Sequence, residues 1–578
     1  MAFIHIALMI MLPFLLEVPI NTGEPTTYID KQVHRSMKKL HLPAFAITIV
    51  EDQDILYQKA TGIIDLEKNF PATTNSVFKL WSLSKVFTAI EIFRETEEGL
   101  VDLDRPLFNY LPLFNIQNGY GEIEEITIKS MLAHRSGLPR NGCLRIPAGE
   151  DDCGTLDRFE IATWDCHMAF PTGYRYKYSN LGYDLLGRVI EENRNKGYAQ
   201  YMTSLLRDSL GMEKSTFNSE DITESEMRVK GYEFHKGKFQ PRVQMDVNSV
   251  PSGNLSASTE DLTKFLQSVF LGKLFKDETT LGLMFEDHYS RVEDPETMGL
   301  GWKTTRLNNS ELLVWHDGGP SEGIGSVIAI LPGQKLGIAM MANSTEFSGA
   351  ISIQMAIQIL NRILADRSES KEKSPEKPGR ILVSKQDMDR YEGRYMVFGK
   401  NMKVKGKKSK LKGRIGGIGV NLIPLSETNF RVTHWIDQIG LTKIFKPPVA
   451  IEKINVSFAA DSLEETTNMI INLDHLSHEI CPSYPDQLHL PNPMENLPGT
   501  YRLAWRLPHN EPGPFSGDLF SISLEKEVLS MSGVFGPLLP RNNSQLSILC
   551  GPFAGEIMEY DSETGNIFHQ NAVLIPNH

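Results

Sequence analysis

The chain has 578 residues, of which 41% are hydrophobic and 23% charged, and its formal net charge is −13. That balance belongs to a globular chain able to bury a sizeable core, and at about 100–200 residues per domain the length suggests three or four domains. An acidic chain has no electrostatic footprint for a phosphate backbone, so nucleic acid is excluded as an expected partner.

In chain order, Ala2 to Leu16 comes first and is almost wholly apolar. It is short for a membrane span of ~20 residues, and Glu17 follows with no basic residues ahead of the run. Residues 1–23 therefore read as a signal peptide or weak anchor. That expectation makes the protein exported or membrane-associated.

Pro43 to Val50 and Ile55 to Gly62 read as two strands joined by a turn at Glu51 to Asp54. From Ser82 the pattern becomes helical, with Val86, Phe87, Ile90 and Phe93 at three- and four-residue spacing and Gly99 as a stop. Leu312 to Trp315, Ser326 to Leu331 and Leu336 to Met341 are three more runs of strand length, and Phe347 to Leu364 reads as a long amphipathic helix. Strands from both ends of this region, with helices between, suit one sheet in a single domain spanning 24–366.

Residues 367–384 open on the charged, Pro-containing run Arg367 to Gly379 and read as a linker. Beyond it the character is β. Arg390-Tyr-Glu-Gly-Arg-Tyr395 resembles Leu497-Pro-Gly-Thr-Tyr501-Arg502, a short internal repeat. It divides the tail into two β-barrel or sandwich modules, 385–490 and 491–578. The basic stretch Lys400 to Arg414 reads as a hairpin with solvent-facing lysines, contact with an anionic surface being the other reading.

The five cysteines, Cys143, Cys153, Cys166, Cys481 and Cys550, are odd in number, dispersed and without C-x-x-C spacing. They read as buried thiols rather than a disulfide framework or metal ligands, although Cys143 and Cys153 are near enough in sequence to bridge. No metal or other cofactor is expected.

The chemical candidate is Ser82-Leu-Ser-Lys85. Three residues apart on a helix, serine and lysine share a face, and a serine hydroxyl needs a base to become a nucleophile. Lysine can be that base only if burial or a neighbouring charge lowers its pKa. Eight serines in the chain have a lysine three residues on: Ser36, Ser76, Ser82, Ser368, Ser370, Ser374, Ser409 and Ser523. Only Ser82 opens an apolar helix; Ser76 is the serious rival, but it precedes the helical run. A second element is Tyr178-Ser-Asn180, where a tyrosine can relay a proton and an asparagine amide can grip a carbonyl; the alternative is a loop tyrosine capping a helix that begins at Leu181. A third is His316-Asp-Gly318-Gly319, whose glycines let a substrate lie close to a strand, although a lone histidine is more often structural.

In this order and spacing the three elements resemble the class C β-lactamase and penicillin-binding-protein superfamily of serine hydrolases, whose signatures are S-x-x-K, Y-x-N and a K/H-x-G strand motif. Ile126-Thr-Ile128 with Met131-Leu-Ala-His-Arg-Ser-Gly-Leu-Pro139, Ser252-Gly-Asn-Leu-Ser256 and Gly299-Leu-Gly-Trp302 are similar to other segments of that superfamily. The resemblance covers roughly Ile29 to Leu364. It implies an α/β (α+β) transpeptidase-like domain with an antiparallel central sheet flanked by helices. It also implies that Ser82 forms an acyl-enzyme, that Lys85 and Tyr178 share the proton transfers, and that Asn180 binds the substrate amide. The backbone N–H groups of Ser82 and Gly319 would form the oxyanion hole, and His316 and Gly318 would border the substrate.

Histidine at 316, where many relatives carry lysine, is similar to the D-aminopeptidases and mitochondrial β-lactamase-like proteases. Some of these carry one or two C-terminal lipocalin-like barrels. The expected activity is cleavage of a small peptide, amide or ester, ahead of a β-lactamase or penicillin-binding carboxypeptidase and of a non-catalytic scaffold. If His316 must be neutral to work, activity should fall below about pH 6, near the free imidazole pKa. Membrane association through the N-terminus and the oligomeric state stay open.

Overall fold

The computed structural model describes residues 25–142, 163–367 and 388–576 apart from short stretches, the longest being 435–453 and 506–518. The expected signal peptide or anchor at 1–23 and nearly all of the expected linker at 367–384 lie outside the described residues, as do Cys143, Cys153 and Cys550. Cys166 is buried. No helix among the described residues is long and apolar enough to cross a membrane.

The first domain is built on an antiparallel sheet. Its strands are β1 (Ala44–Glu51), β2 (Asp54–Asp65), β3 (Phe70–Pro71), β4 (Thr297–Met298), β5 (Lys303–Arg306), β6 (Leu312–Gly318), β7 (Gly325–Leu331) and β8 (Leu336–Ala342), in the order β3-β2-β1-β8-β7-β6-β5-β4. The domain's first strand therefore pairs with its last, Phe45 opposite Ala342 and Glu51 opposite Leu336, which closes the domain from both ends of its own sequence.

The central strands are apolar on both sides because both faces are covered. Phe45, Ile47 and Ile49 of β1 join one core with α1 (Pro25–Lys39) and α6 (Gly349–Arg367). Ala44, Ala46 and Val50 face the larger core. That second core is filled by α2 (Ser84–Glu97), α3 (Asn180–Arg194), α4 (Tyr198–Leu210) and α5 (Thr259–Phe270). Phe87 of α2 packs on Phe265 of α5, ring centroids 4.7 Å apart. The candidate site lies where α2 and the start of α3 meet the end of β6.

The tail forms two closed barrels of eight described strands each, from Gly393–Val397 to Leu476–Tyr484 and from Gly499–Trp505 to Ala572–Pro576. Each has its own apolar core. The two repeat motifs take the same local structure. Tyr395 Oη donates to Tyr391 O at 3.0 Å and Tyr501 Oη to Leu497 O at 2.7 Å. In each case a buried tyrosine on the barrel's first strand ties that strand to the turn before it. The basic stretch is a hairpin, Lys400–Lys407 paired with Lys410–Ile415. Met402, Val404 and Leu411 are buried, while Lys403, Lys405 and Lys412 are exposed, the alternation of a strand with one wet face.

Candidate active site

Ser82 does not begin the α-helix. It sits on a 3-10 turn, Trp81–Leu83, that leads into α2 at Ser84. Ser84 explains the turn's shape: its hydroxyl donates to Trp81 O at 2.6 Å and accepts from Leu255 N at 2.9 Å. Trp81 carries a φ of 53°, a strained backbone value for a bulky residue, immediately before the candidate nucleophile. The rival Ser76 is buried and its hydroxyl accepts the Thr73 N–H at 3.0 Å, which is the work of a turn residue.

Lys85 follows on the first turn of α2 with 0% exposure. Its Nζ donates to Ser82 Oγ at 3.2 Å and to Ser252 O at 2.7 Å. Ser252 is in turn held by Asp184 of α3, whose Oδ1 accepts the Ser252 N–H at 3.2 Å. Burial lowers the pKa of Lys85, and the charges of Tyr178 and Asp184 only partly oppose it. Burial also raises the Asp184 carboxyl to about 7.

Tyr178 completes the contact. Its Oη donates to Ser82 Oγ at 2.7 Å. Burial alone would raise the phenol, but the charges of Lys85 and Arg140 and the hydrogen bonds with Lys85 and Ser82 outweigh burial and bring it below its ordinary value. Tyr178 is not a helix cap: Ser179 caps α3, its Oγ accepting from Gly182 N at 3.0 Å and donating to Pro139 O at 2.7 Å.

Asn180 is the first residue of α3, and its Nδ2 donates to Asn141 Oδ1 at 2.7 Å. His316 is buried in β6. Its Nδ1 lies 2.8 Å from Asp317 O, so that nitrogen carries the hydrogen and Nε2 is left unprotonated. Burial, with Lys303 and Lys85 adding to it against Asp317, lowers its pKa to about 3. That direction favours the neutral imidazole at pH 6 and moves any loss of activity due to His316 to lower pH than the free imidazole value suggests. Neither Asn180 nor His316 has a hydrogen bond to Ser82 among the described residues.

Gly318 and Gly319 have separate steric reasons. A Cβ at Gly318 would lie 1.8 Å from Leu80 O, so only glycine lets the end of β6 meet the turn that carries Ser82. Ser326 of β7 fastens the same carbonyl at 2.9 Å. Gly319 has a φ of 87°, and a Cβ there would lie 2.2 Å from Ile324 O.

Four residues of the site were not singled out from the sequence. His134, at φ 54°, accepts the Ser179 N–H on Nδ1 at 3.1 Å, and its ring lies 4.4 Å from that of Tyr178. It belongs to the Met131 to Pro139 segment, which was visible as a block without an assigned role. The Arg140 guanidinium lies 4.8 Å from the centre of the Tyr178 ring, within cation–π range. Asn141 holds Asn180. Glu556 comes from the second barrel, and no local pattern marks it.

Comparisons with known proteins bear on the family and the fold. The beta-lactamase family model matches residues 29–359. Protein flp of Staphylococcus aureus strain MW2 is 27% identical over 347 residues, 59% of this chain and 68% of that protein. Beta-lactamase-like protein 4 of Dictyostelium discoideum is 27% identical over 355 residues, 57% of this chain and 62% of that protein. Among solved structures, the octameric penicillin-binding protein homologue from Pyrococcus abyssi aligns over 80% of this chain and all of its own, with a TM-score of 0.51 and 22% identity. That similarity concerns the fold, and it reaches beyond the region of the family match.

Proposed function

The chain belongs to the beta-lactamase family, and from that premise we propose that it is a serine hydrolase that forms an acyl-enzyme on Ser82 and cleaves a peptide, amide or ester bond. The observation that carries this reading is the convergence on Ser82 Oγ of Tyr178 Oη at 2.7 Å and Lys85 Nζ at 3.2 Å. Both flanking groups have lowered pKa values, which is what a base needs to take a serine proton near neutral pH.

In this reading Ser82 Oγ bonds to the substrate carbonyl carbon as its proton passes to the Tyr178/Lys85 pair. Collapse of the tetrahedral adduct breaks the bond to the leaving group, which takes that proton. Water then attacks the acyl-enzyme carbonyl and gives a proton to the same pair. Departure of the acid product returns that proton to Ser82.

His316 bears on the substrate. A lysine in its place would offer a fixed cation to a carboxylate; a neutral imidazole does not. This favours peptides, amides or esters over penicillins and over carboxypeptidase substrates. A non-catalytic scaffold is disfavoured because Ser82, Lys85 and Tyr178 keep a hydrogen-bonded arrangement that costs burial of a lysine and has no evident packing role. A panel of D- and L-aminoacyl amides and short esters tests the proposal. Turnover by the unaltered protein and its loss in Ser82→Ala is the expected result; equal turnover by that variant contradicts it.

A further inference from the structure

We infer that Glu556, supplied by the second barrel, is a positioning residue for the Ser82 site. The inference rests on the reading of Ser82 given above. Glu556 lies at the end of the loop between the strands Gln545–Ile548 and Ile557–Tyr560. Its exposure is 2%, and its Oε1 accepts two hydrogen bonds from the first domain: one from Lys177 Nζ at 2.8 Å and one from the backbone N–H of Arg140 at 2.7 Å. Its Oε2 lies 2.9 Å from His569 Nε2.

Those two donors belong to the two segments that hold the site. Lys177, 4% exposed, directly precedes Tyr178. Arg140 lies over the Tyr178 ring, and its carbonyl accepts the Asn180 N–H at 2.7 Å. One carboxylate thus ties the 139–141 segment to the 177–180 segment from outside the domain that contains the serine.

The approach of the barrel is close. Ala554 packs on Ala169 and Phe170 in a small apolar cluster. A Cβ at Gly555 would lie 2.4 Å from the Phe170 ring and 2.7 Å from Ala169 O. A buried ion pair is poor value as a stabiliser, because removing two charges from water cancels most of their attraction. A buried carboxylate that also takes a backbone N–H fixes geometry instead, and small displacements at a reacting centre cost large factors in rate.

The test separates geometry from stability. Glu556→Gln alone leaves Lys177 buried without its anion, so two double variants are compared with the unaltered full-length chain. In Lys177→Met/Glu556→Gln the amide oxygen can still accept the Arg140 N–H. In Lys177→Met/Glu556→Leu nothing can. The readout is the rate of covalent labelling by a small uncharged fluorophosphonate, with thermal unfolding measured alongside. The Leu variant should label roughly tenfold or more slowly, and the Gln variant should recover most of that loss whatever their melting temperatures. Equal rates in the two double variants, fast or slow, overturn the role given to Glu556. Labelling that persists in Ser82→Ala, or none in the unaltered protein, overturns the reading of Ser82 itself and the inference with it.

Discussion

Tyr178 Oη stands 2.7 Å from Ser82 Oγ, nearer than Lys85 Nζ at 3.2 Å, while Lys85 makes its shorter bond, 2.7 Å, to Ser252 O. The tyrosine is therefore the group in position to exchange a proton with the serine, and the lysine, anchored on Ser252 O, makes the phenol more acidic. Tyr178→Phe should lower the rate of Ser82 acylation by about 10²- to 10⁴-fold with little change in fold. Stopped-flow labelling measures it; a rate within twofold of the unaltered protein would leave Lys85 as the base.

Arg140 lowers the pKa of both Tyr178 and Lys85 by its charge. Removing it raises both, so a higher pH is needed to free the base. Arg140→Ala should move the acid limb of the labelling profile upward, by up to about one pH unit for a partly exposed charge at this distance. A limb that stays in place or moves down contradicts the electrostatic role of this residue.

Much of this site was legible in the sequence and some of it was not. Ser82 is separated from seven other serines with a lysine three residues on by the apolar helix that follows it, and Lys85, Tyr178 and the glycines after His316 join it through the resemblance that links the three motifs. The pairing of β1 with β8 could be anticipated from apolar runs at both ends of one domain. His316 as a neutral group below pH 6 could not, because its pKa is set by burial among Lys303, Lys85 and Asp317. Nor could the helix start after Ser82, since a 3-10 turn and an α-turn share nearly the same periodicity. Glu556 is the extreme case. It is brought beside Arg140 by tertiary docking of another domain, and its own loop gives no sign of it.

Gly318 offers a steric test. A methyl group there would meet Leu80 O at 1.8 Å, so Gly318→Ala must push the end of β6 away from the turn bearing Ser82. The expected cost is about 1–3 kcal/mol of stability, as for other overpacked sites, with a larger proportional loss of acylation. Chemical unfolding and labelling rate together measure it; unchanged values for both would show that the strand does not brace the turn.

Acid should weaken the anchoring of the second barrel. Burial would raise the Glu556 carboxyl, but Lys177 and His569 overcome it and hold the group at about 2, below its ordinary 4.5. A carboxylate lowered in the fold gives stability that is complete above pH 4.5 and lost as the pH falls toward 2, worth at most about 3 kcal/mol. Calorimetry at pH 6, 4 and 3 should show a steeper decline for the unaltered chain than for Lys177→Met/Glu556→Gln. Parallel declines would mean that the pair carries no such linkage.

The central claim is that Ser82 is the nucleophile. The direct measurement is intact-mass analysis after treatment with a fluorophosphonate, followed by peptide mapping of the adduct. One added phosphonyl group, carried on Ser82, is expected, and none in Ser82→Ala. An adduct on another residue, or the same mass gain in Ser82→Ala, would contradict it.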